Sequence, residues 1–157
     1  DVYKRQGISG AYEASAQVLN DRNTGSMITL EGSDSAANLA SNNFKKLGLD
    51  NITVVTGKFE DTLDVVLSTN ENFDYVFIDG HHDEHATLKY FDKIIPRLSE
   101  RALVIFDDIA WSEGMKRAWN KIASYENVSI SFDLRTIGVC LLRSNNSSKF
   151  DCKLKLI

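Results

Sequence analysis

The sequence has a single proline, two cysteines and no apolar run approaching the roughly 18 residues needed to cross a bilayer. The missing run argues against a membrane-spanning segment. Cys140 and Cys152 lack a CxxC spacing, which excludes a zinc knuckle or a disulfide framework and fits a reducing compartment such as the cytoplasm. Basic residues number 18 against 22 acids, for a net charge of -4, so a nucleic-acid surface is not expected. The densest basic run, "MKRAWNK", lies on a predicted helix whose other face is apolar and reads as a solvated face. Repeats and low-complexity linkers are lacking too. The reading is one domain over 7–157, long enough to bury a core.

An initiating methionine is also lacking. The first six residues, "DVYKRQ", are the direct translation of GAT GTG TAT AAG AGA CAG, which resembles the transposase end sequence used in preparing sequencing libraries. Asp1 to Gln6 are therefore expected to be adapter-derived, with the chain the 3′ part of a longer reading frame, and are set aside from fold reasoning.

What is present is a regular alternation. A helical pattern runs from Gly7 to about Asn20, with Ile8, Ala11, Tyr12, Ser15, Val18 and Leu19 on one face. "MITLE" and "NITVVTG" read as strands flanking a helix capped by Ser33 or Ser35 and ended by Gly48. "FEDTLDVVLS" is a short helix, and "FDYVFID" a strand without apolar/polar alternation, as expected where both faces are covered in a parallel sheet. A helix with Leu88, Phe91, Ile95 and Leu98 on one face follows, then the strand "ALVIFDD" and a helix capped by Ser112. Two β-rich runs, "VSISFDL" and "TIGVCLLR", are close enough to pair, and "FDCKLKLI" is a tail. The class is α/β: a Rossmann-like, doubly wound, mostly parallel sheet with a C-terminal antiparallel hairpin. The chain opens on a helix, so the strand expected before it is missing.

In such a sheet, ligands bind beyond the carboxyl ends of the strands. The residues there are Glu31-Gly32, Gly57-Lys58-Phe59, Asp79-Gly80-His81-His82 and Asp107-Asp108. Glu31 lies 24 residues beyond Gly7, close to the spacing of an acid that accepts from two ribose hydroxyls. It also reads as a residue of the approach to the next helix. Asp79, Asp107 and Asp108 end two strands expected to be neighbours, and converging carboxylates favour a hard divalent cation such as Mg²⁺ between them. The plainer reading of Asp107 and Asp108 is backbone capping. "HHDEH" is not HExxH, and no second ligand cluster accompanies it, so a closed zinc site is not expected. His82, three residues after Asp79, is positioned to take a proton from a substrate hydroxyl. His81 and His85 read as a solvated loop.

Glu31, "GKFEDTL", "FDYVFIDGHH", "LVIFDDIAW" and the closing hairpin together resemble class I S-adenosylmethionine-dependent methyltransferases. The nearest likeness is to small bacterial O-methyltransferase-like proteins related to the catechol O-methyltransferase group. The resemblance covers Gly7 to the C-terminus and implies S-adenosylmethionine as cofactor and a small-molecule methyl acceptor. It implies that Gly7, Ile8 and Ser9 end the loop around the methionine part. It gives Glu31 and Gly32 the ribose, places Lys58 and Phe59 against the adenine, and has Asp79 close the cofactor site. In the metal-dependent branch, ligands fall at Asp79, Asp107 and Asp108, and the catalytic base at His82. This chain departs from that branch at Asp108, where an amide is usual, and at His82, where a lysine is usual. Because the strand and Gly-rich loop before Gly7 are replaced by "DVYKRQ", the fragment is expected to bind the cofactor weakly or not at all. A nucleotide-cofactor dehydrogenase is the second enzymatic reading. A catalytically idle binding module is the third.

Overall fold

The computed structural model describes residues 7–19, 25–70, 72–143 and 150–153. The segment expected to be adapter-derived lies outside them. The chain forms two compact units, Asp1–Ser68 and Thr69–Ile157.

In the first unit, helix α1 (Ile8–Leu19) precedes β1 (Met27–Glu31), α2 (Asp34–Lys46), β2 (Ile52–Thr56) and α3 (Phe59–Thr69). The strands β1 and β2 pair in parallel, Met27 opposite Ile52 through Glu31 opposite Thr56, with α2 as the crossover. The Ser33 side chain accepts from Ala36 N–H, as its position predicted, and Leu47 is the C-cap before Gly48. A core of Ala14, Ala40, Phe44, Leu49 and Ile52 lies under Ala11, Met27 and Val54.

The predicted apolar face of α1 is not the buried one. Ala14 is fully buried, whereas Tyr12 is 76% and Leu19 83% exposed. Small residues decide this packing: a Cβ on Gly7 would stand 2.7 Å from Phe44 Cζ and 2.8 Å from Ala40 Cβ. The helix approaches its neighbours along its glycine–alanine side, which an apolar-periodicity count underweights.

The second unit contains β3 (Phe73–Ile78), α4 (Glu84–Ile94), a single 3₁₀ turn (Ile95–Arg97), β4 (Leu98–Phe106) and α5 (Glu113–Ala123). It ends with β5 (Val128–Asp133), β6 (Gly138–Leu142) and β7 (Phe150–Lys153). Its sheet runs β3-β4-β6-β5-β7. The pair β3/β4 is parallel, and the antiparallel β5/β6 hairpin joins through β6, with Phe106 opposite Gly138. Mostly parallel pairing, crossover helices and a closing hairpin are the α/β, Rossmann-like class that the alternation implied.

Three details differ from the sequence reading. Leu98 opens β4 rather than closing α4, because Pro96 converts the helix end into one 3₁₀ turn. The strand β4 alternates in burial, with Ala102, Val104 and Phe106 inward and Leu103 and Ile105 half-buried. In the C-terminal tail, Phe150–Lys153 forms β7 beside β5, and Ser131 Oγ donates to Asp151 Oδ1 at 2.6 Å. The core of this unit is aromatic. Phe91 meets Phe106 edge-on at 5.3 Å and Tyr125 at 5.4 Å, while Phe106 meets Trp119 at 6.0 Å. Burial within the sheet and the nearby Asp151 push the Cys140 thiol up to about 12.

Candidate functional site

The carboxyl ends of β1 and β2 lie side by side, since Glu31 pairs with Thr56 and Gly57 N–H donates to Glu31 O at 3.0 Å. Glu31-Gly32 and Gly57-Lys58-Phe59 are thereby gathered at one edge of the first unit. Glu31 is half-buried, and its Oε1 accepts from Ser33 N–H at 3.0 Å. This contact steadies the approach to α2 and uses one carboxylate oxygen. Lys58 is exposed, and its carbonyl starts α3 by accepting from Asp61 and Thr62. Phe59 is half-buried in the first turn of that helix. Gly7 sits immediately before α1 at φ 72°, and its carbonyl accepts from Ala11 N–H; Ile8 and Ser9 are exposed in the first turn.

In the second unit, the parallel register sets Ile78 opposite Phe106, so Asp79 and Asp107 leave neighbouring strand ends. Asp107 N–H donates to Ile78 O at 3.0 Å, and Asp107 Oδ1 accepts from Asp108 N–H at 2.9 Å. The second contact is the backbone-capping role that the sequence left open for Asp107. Its effect is to hold the turn in which Asp108 has φ 53°. Across from it, His81 and His82 take φ 62° and 34° in succession. Side chains other than glycine occupy this region at a cost of order 1 kcal/mol each, which the surroundings must over-determine.

The strained turns converge. His82 Nδ1 lies 3.6 Å from Asp108 Oδ2, and His82 Nε2 lies 3.9 Å from Asp79 Oδ1. Ligand atoms of Asp79, His82 and Asp108 all lie within 4.8 Å of one another. All three side chains are partly open to solvent, at 33%, 32% and 20% exposure. Asp107 was expected among a three-carboxylate set. The set found among the described residues instead joins Asp79 and Asp108 to His82, with Asp107 in support.

His81 and His85 stay apart from this set. The His81 ring meets Tyr90 at 5.6 Å, with Nδ1 3.3 Å from the Tyr90 hydroxyl. His85 is exposed on α4, where Asp83 is the cap and accepts from Ala86 N–H. Sequence reasoning passed over Asp83 as a cap and Trp111 as a neighbour of the cluster. The first was legible as an acid three residues before a small helical residue. The second carried no signal, because only the fold brings Trp111 within 6.0 Å of the His82 ring.

The acids thus stand at strand ends of a Rossmann-like sheet. Residues 5–109 match the methyltransferase domain family, and the chain belongs to that family. Among solved structures, it is similar to the O-methyltransferase from Bacillus cereus in complex with SAH, at 23% identity and TM-score 0.70, covering 87% of this chain and 70% of that one. The O-methyltransferase TomG from Streptomyces achromogenes, involved in tomaymycin synthesis and bound to SAM, gives 19% identity and TM-score 0.72 over 88% and 70%. The SAH-bound methyltransferase PaMTH1 from Podospora anserina gives 18% and 0.65 over 86% and 68%. At these identities the likeness is one of fold. No curated protein sequence matches the chain.

Proposed function

We propose that the domain transfers a methyl group from S-adenosylmethionine to the hydroxyl oxygen of a small molecule. The observation that carries this reading is the convergence of Asp79, His82 and Asp108 at the ends of β3 and β4. In the transfer, a lone pair of the acceptor oxygen forms the new C–O bond in line with the breaking C–S bond. The bonding pair returns to sulfur, leaving a neutral thioether, and the hydroxyl proton passes to His82. Proximity and orientation supply most of the rate, since the sulfonium is already activated. Gly7, Ile8, Ser9, Glu31, Gly32, Lys58 and Phe59 are assigned to the cofactor. The second carboxylate oxygen of Glu31 is the group suited to ribose hydroxyls. Asp79 is assigned a part in both cofactor and acceptor handling.

The donor set also suits a divalent cation such as Mg²⁺, with carboxylate oxygens of Asp79 and Asp108 as hard ligands and Asp107 holding the turn behind them. A bound cation would supply charge that favours the ionised form of the acceptor oxygen. Metal dependence is a separable part of the reading.

Shift mapping by NMR tests the cofactor, because it reads binding into the millimolar range. S-adenosylmethionine should move the amides of Gly7–Ser9, Glu31, Gly32 and Phe59, and Glu31→Ala should remove most of that response. A response to NAD in its place would establish the dehydrogenase reading. Silence to both would refute cofactor binding by this chain.

A further inference from the structure

The stretch "DGHHD" contains a glycine, yet the glycine is not the residue that turns. Gly80 does not take a positive φ, whereas His81 and His82 take 62° and 34° in succession. Histidine enters this region more readily than most side chains, but two in a row need holding from outside. Both ends of the turn are fixed. Ile78 is buried and its carbonyl accepts from Asp107 N–H at 3.0 Å, while Asp83 caps α4 and its carbonyl accepts from Thr87 N–H at 3.0 Å. Fixed ends set the path of the chain but not the direction of each side chain along it.

The middle of the turn is held through His81. Its ring meets Tyr90 edge-on at 5.6 Å and 62°, with Nδ1 3.3 Å from the phenol oxygen. Tyr90 belongs to the buried face of α4 with Thr87, Phe91 and Ile94, and is 2% exposed. A buried phenol takes a hydrogen-bond partner, and a ring packed into a helix core is a rigid anchor. His81 itself is exposed, so burial does not account for its orientation.

We infer that Tyr90 is a positioning residue for His82: its hydroxyl anchors the His81 imidazole, and the anchored ring keeps the two-histidine turn left-handed. The inference rests on the methyl transfer proposed above, in which His82 receives the hydroxyl proton, and names how that side chain is aimed. With His81 tied to α4, the next side chain stands 3.6 Å from Asp108 Oδ2 and 3.9 Å from Asp79 Oδ1, with its ring 6.0 Å from that of Trp111. Relaxation of His81 to an ordinary negative φ would turn the peptide between the two histidines and carry His82 away from all three.

The test is NMR on the 157-residue protein, read at His82, whose ring signal among the three histidines is assigned by His82→Gln. Two readouts report its position: the ring-current displacement caused by Trp111, and the close approach of its own amide and α protons that a positive φ produces. Three variants separate the clamp from backbone preference. Tyr90→Phe keeps the packed ring and removes the hydroxyl. It should shift the ratio of held to released turn about fivefold, the worth of one net hydrogen bond. His81→Gly enters left-handed backbone without cost but reaches nothing on α4, and should release His82 further. His81→Asn keeps the tolerance for positive φ and puts an amide oxygen where Nδ1 stood, so it should hold His82 in place. If His81→Gly holds His82 as well as His81→Asn does, backbone preference alone sets the turn and the inference is overturned. The same follows if Tyr90→Phe lowers the urea midpoint while both His82 readouts stay put, which would make the phenol a stabilising contact only. S-adenosylmethionine added to each sample gives a separate readout. No response to it, with the His82 pattern as expected, would remove the cofactor reading for this chain and leave the clamp standing.

Discussion

The two compact units are built from the same β-α-β grammar, and they differ in what stands behind their strand ends. In the first, β1 and β2 have each other as ladder partners and form a two-stranded sheet among the described residues. In the second, β4 lies between β3 and β6, and β6 between β4 and β5. Two-stranded ribbons are marginal alone, so the first unit depends on α1 and α2 packing against it. Its core of Ala14, Ala40, Phe44, Leu49 and Ile52 has one aromatic ring, against four rings linked in a row of contacts in the second. The candidate site residues follow the same division. Those of the first unit are backbone turns, Lys58, Phe59 and one acid whose oxygen already serves its loop. Those of the second are charged side chains forced together by strained turns, which only a well-buttressed sheet sustains.

Cutting out a ring from each core probes this difference most strongly. Phe91 is fully buried between Phe106 and Tyr125, and Phe91→Ala should cost about 3–5 kcal/mol. Phe44 is 3% exposed, and Phe44→Ala should cost about as much by the same mechanism. The comparison is sharpened by where the loss appears. Hydrogen exchange should show protection falling over Met27–Thr56 in Phe44→Ala with Leu98–Leu142 still protected. If both variants lose protection everywhere to the same degree, the two units form one cooperative block and the contrast fails.

Glycines supply the next smaller test. A Cβ on Gly138 would stand 2.5 Å from Trp119 Cζ3 and 2.6 Å from Cε3, against a ring that is 5% exposed and cannot retreat. Gly138→Ala should therefore lower the urea midpoint by the equivalent of about 1–3 kcal/mol. Gly7→Ala adds a left-handed φ of 72° to its contact with Phe44 and should fall in the same range. A neutral Gly7→Ala would show that the aromatic core of the first unit yields where that of the second does not.

These same residues show what could be read in advance. Strand and helix order was legible because β-branched and aromatic runs such as "ITVV", "DYVFI" and "LVIF" alternate with helical periods bounded by Ser33, Gly48 and Ser112. Placement at strand ends was legible, since topology fixes it: Glu31 and Lys58 in the first unit, Asp79 and Asp107 in the second. The division of labour among the acids was not. Whether Asp107 or Asp108 points at His82 turns on one left-handed residue, and sequence periodicity carries no information on a single φ. Packing of α1 through glycine and alanine, β7 within the C-terminal tail and Trp111 beside His82 escaped for a related reason. Each depends on contacts between residues far apart in the chain.

The smallest contrast lies in the helix caps, one from each unit. Ser33 caps α2 through a hydroxyl 3.4 Å from Ala36 N, and that hydroxyl also lies 3.0 Å from Ser35 Oγ. Asp83 caps α4 with a carboxylate 2.9 Å from Ala86 N, and its charge faces the positive end of the helix. The shorter, ionised contact should be the stronger, so Asp83→Ala should cost about 1 kcal/mol and Ser33→Ala about half of that. The order of the two denaturation midpoints checks it, with Asp83→Asn restoring most of the loss because an amide oxygen still accepts. Should Ser33→Ala prove the costlier, the loop holding Glu31 is under more strain than its bonds suggest. The first unit would then owe more of its shape to that single turn, because Glu31 Oε1 leans on the Ser33 N–H. A helix cap would in that case also set the carboxylate proposed for the ribose.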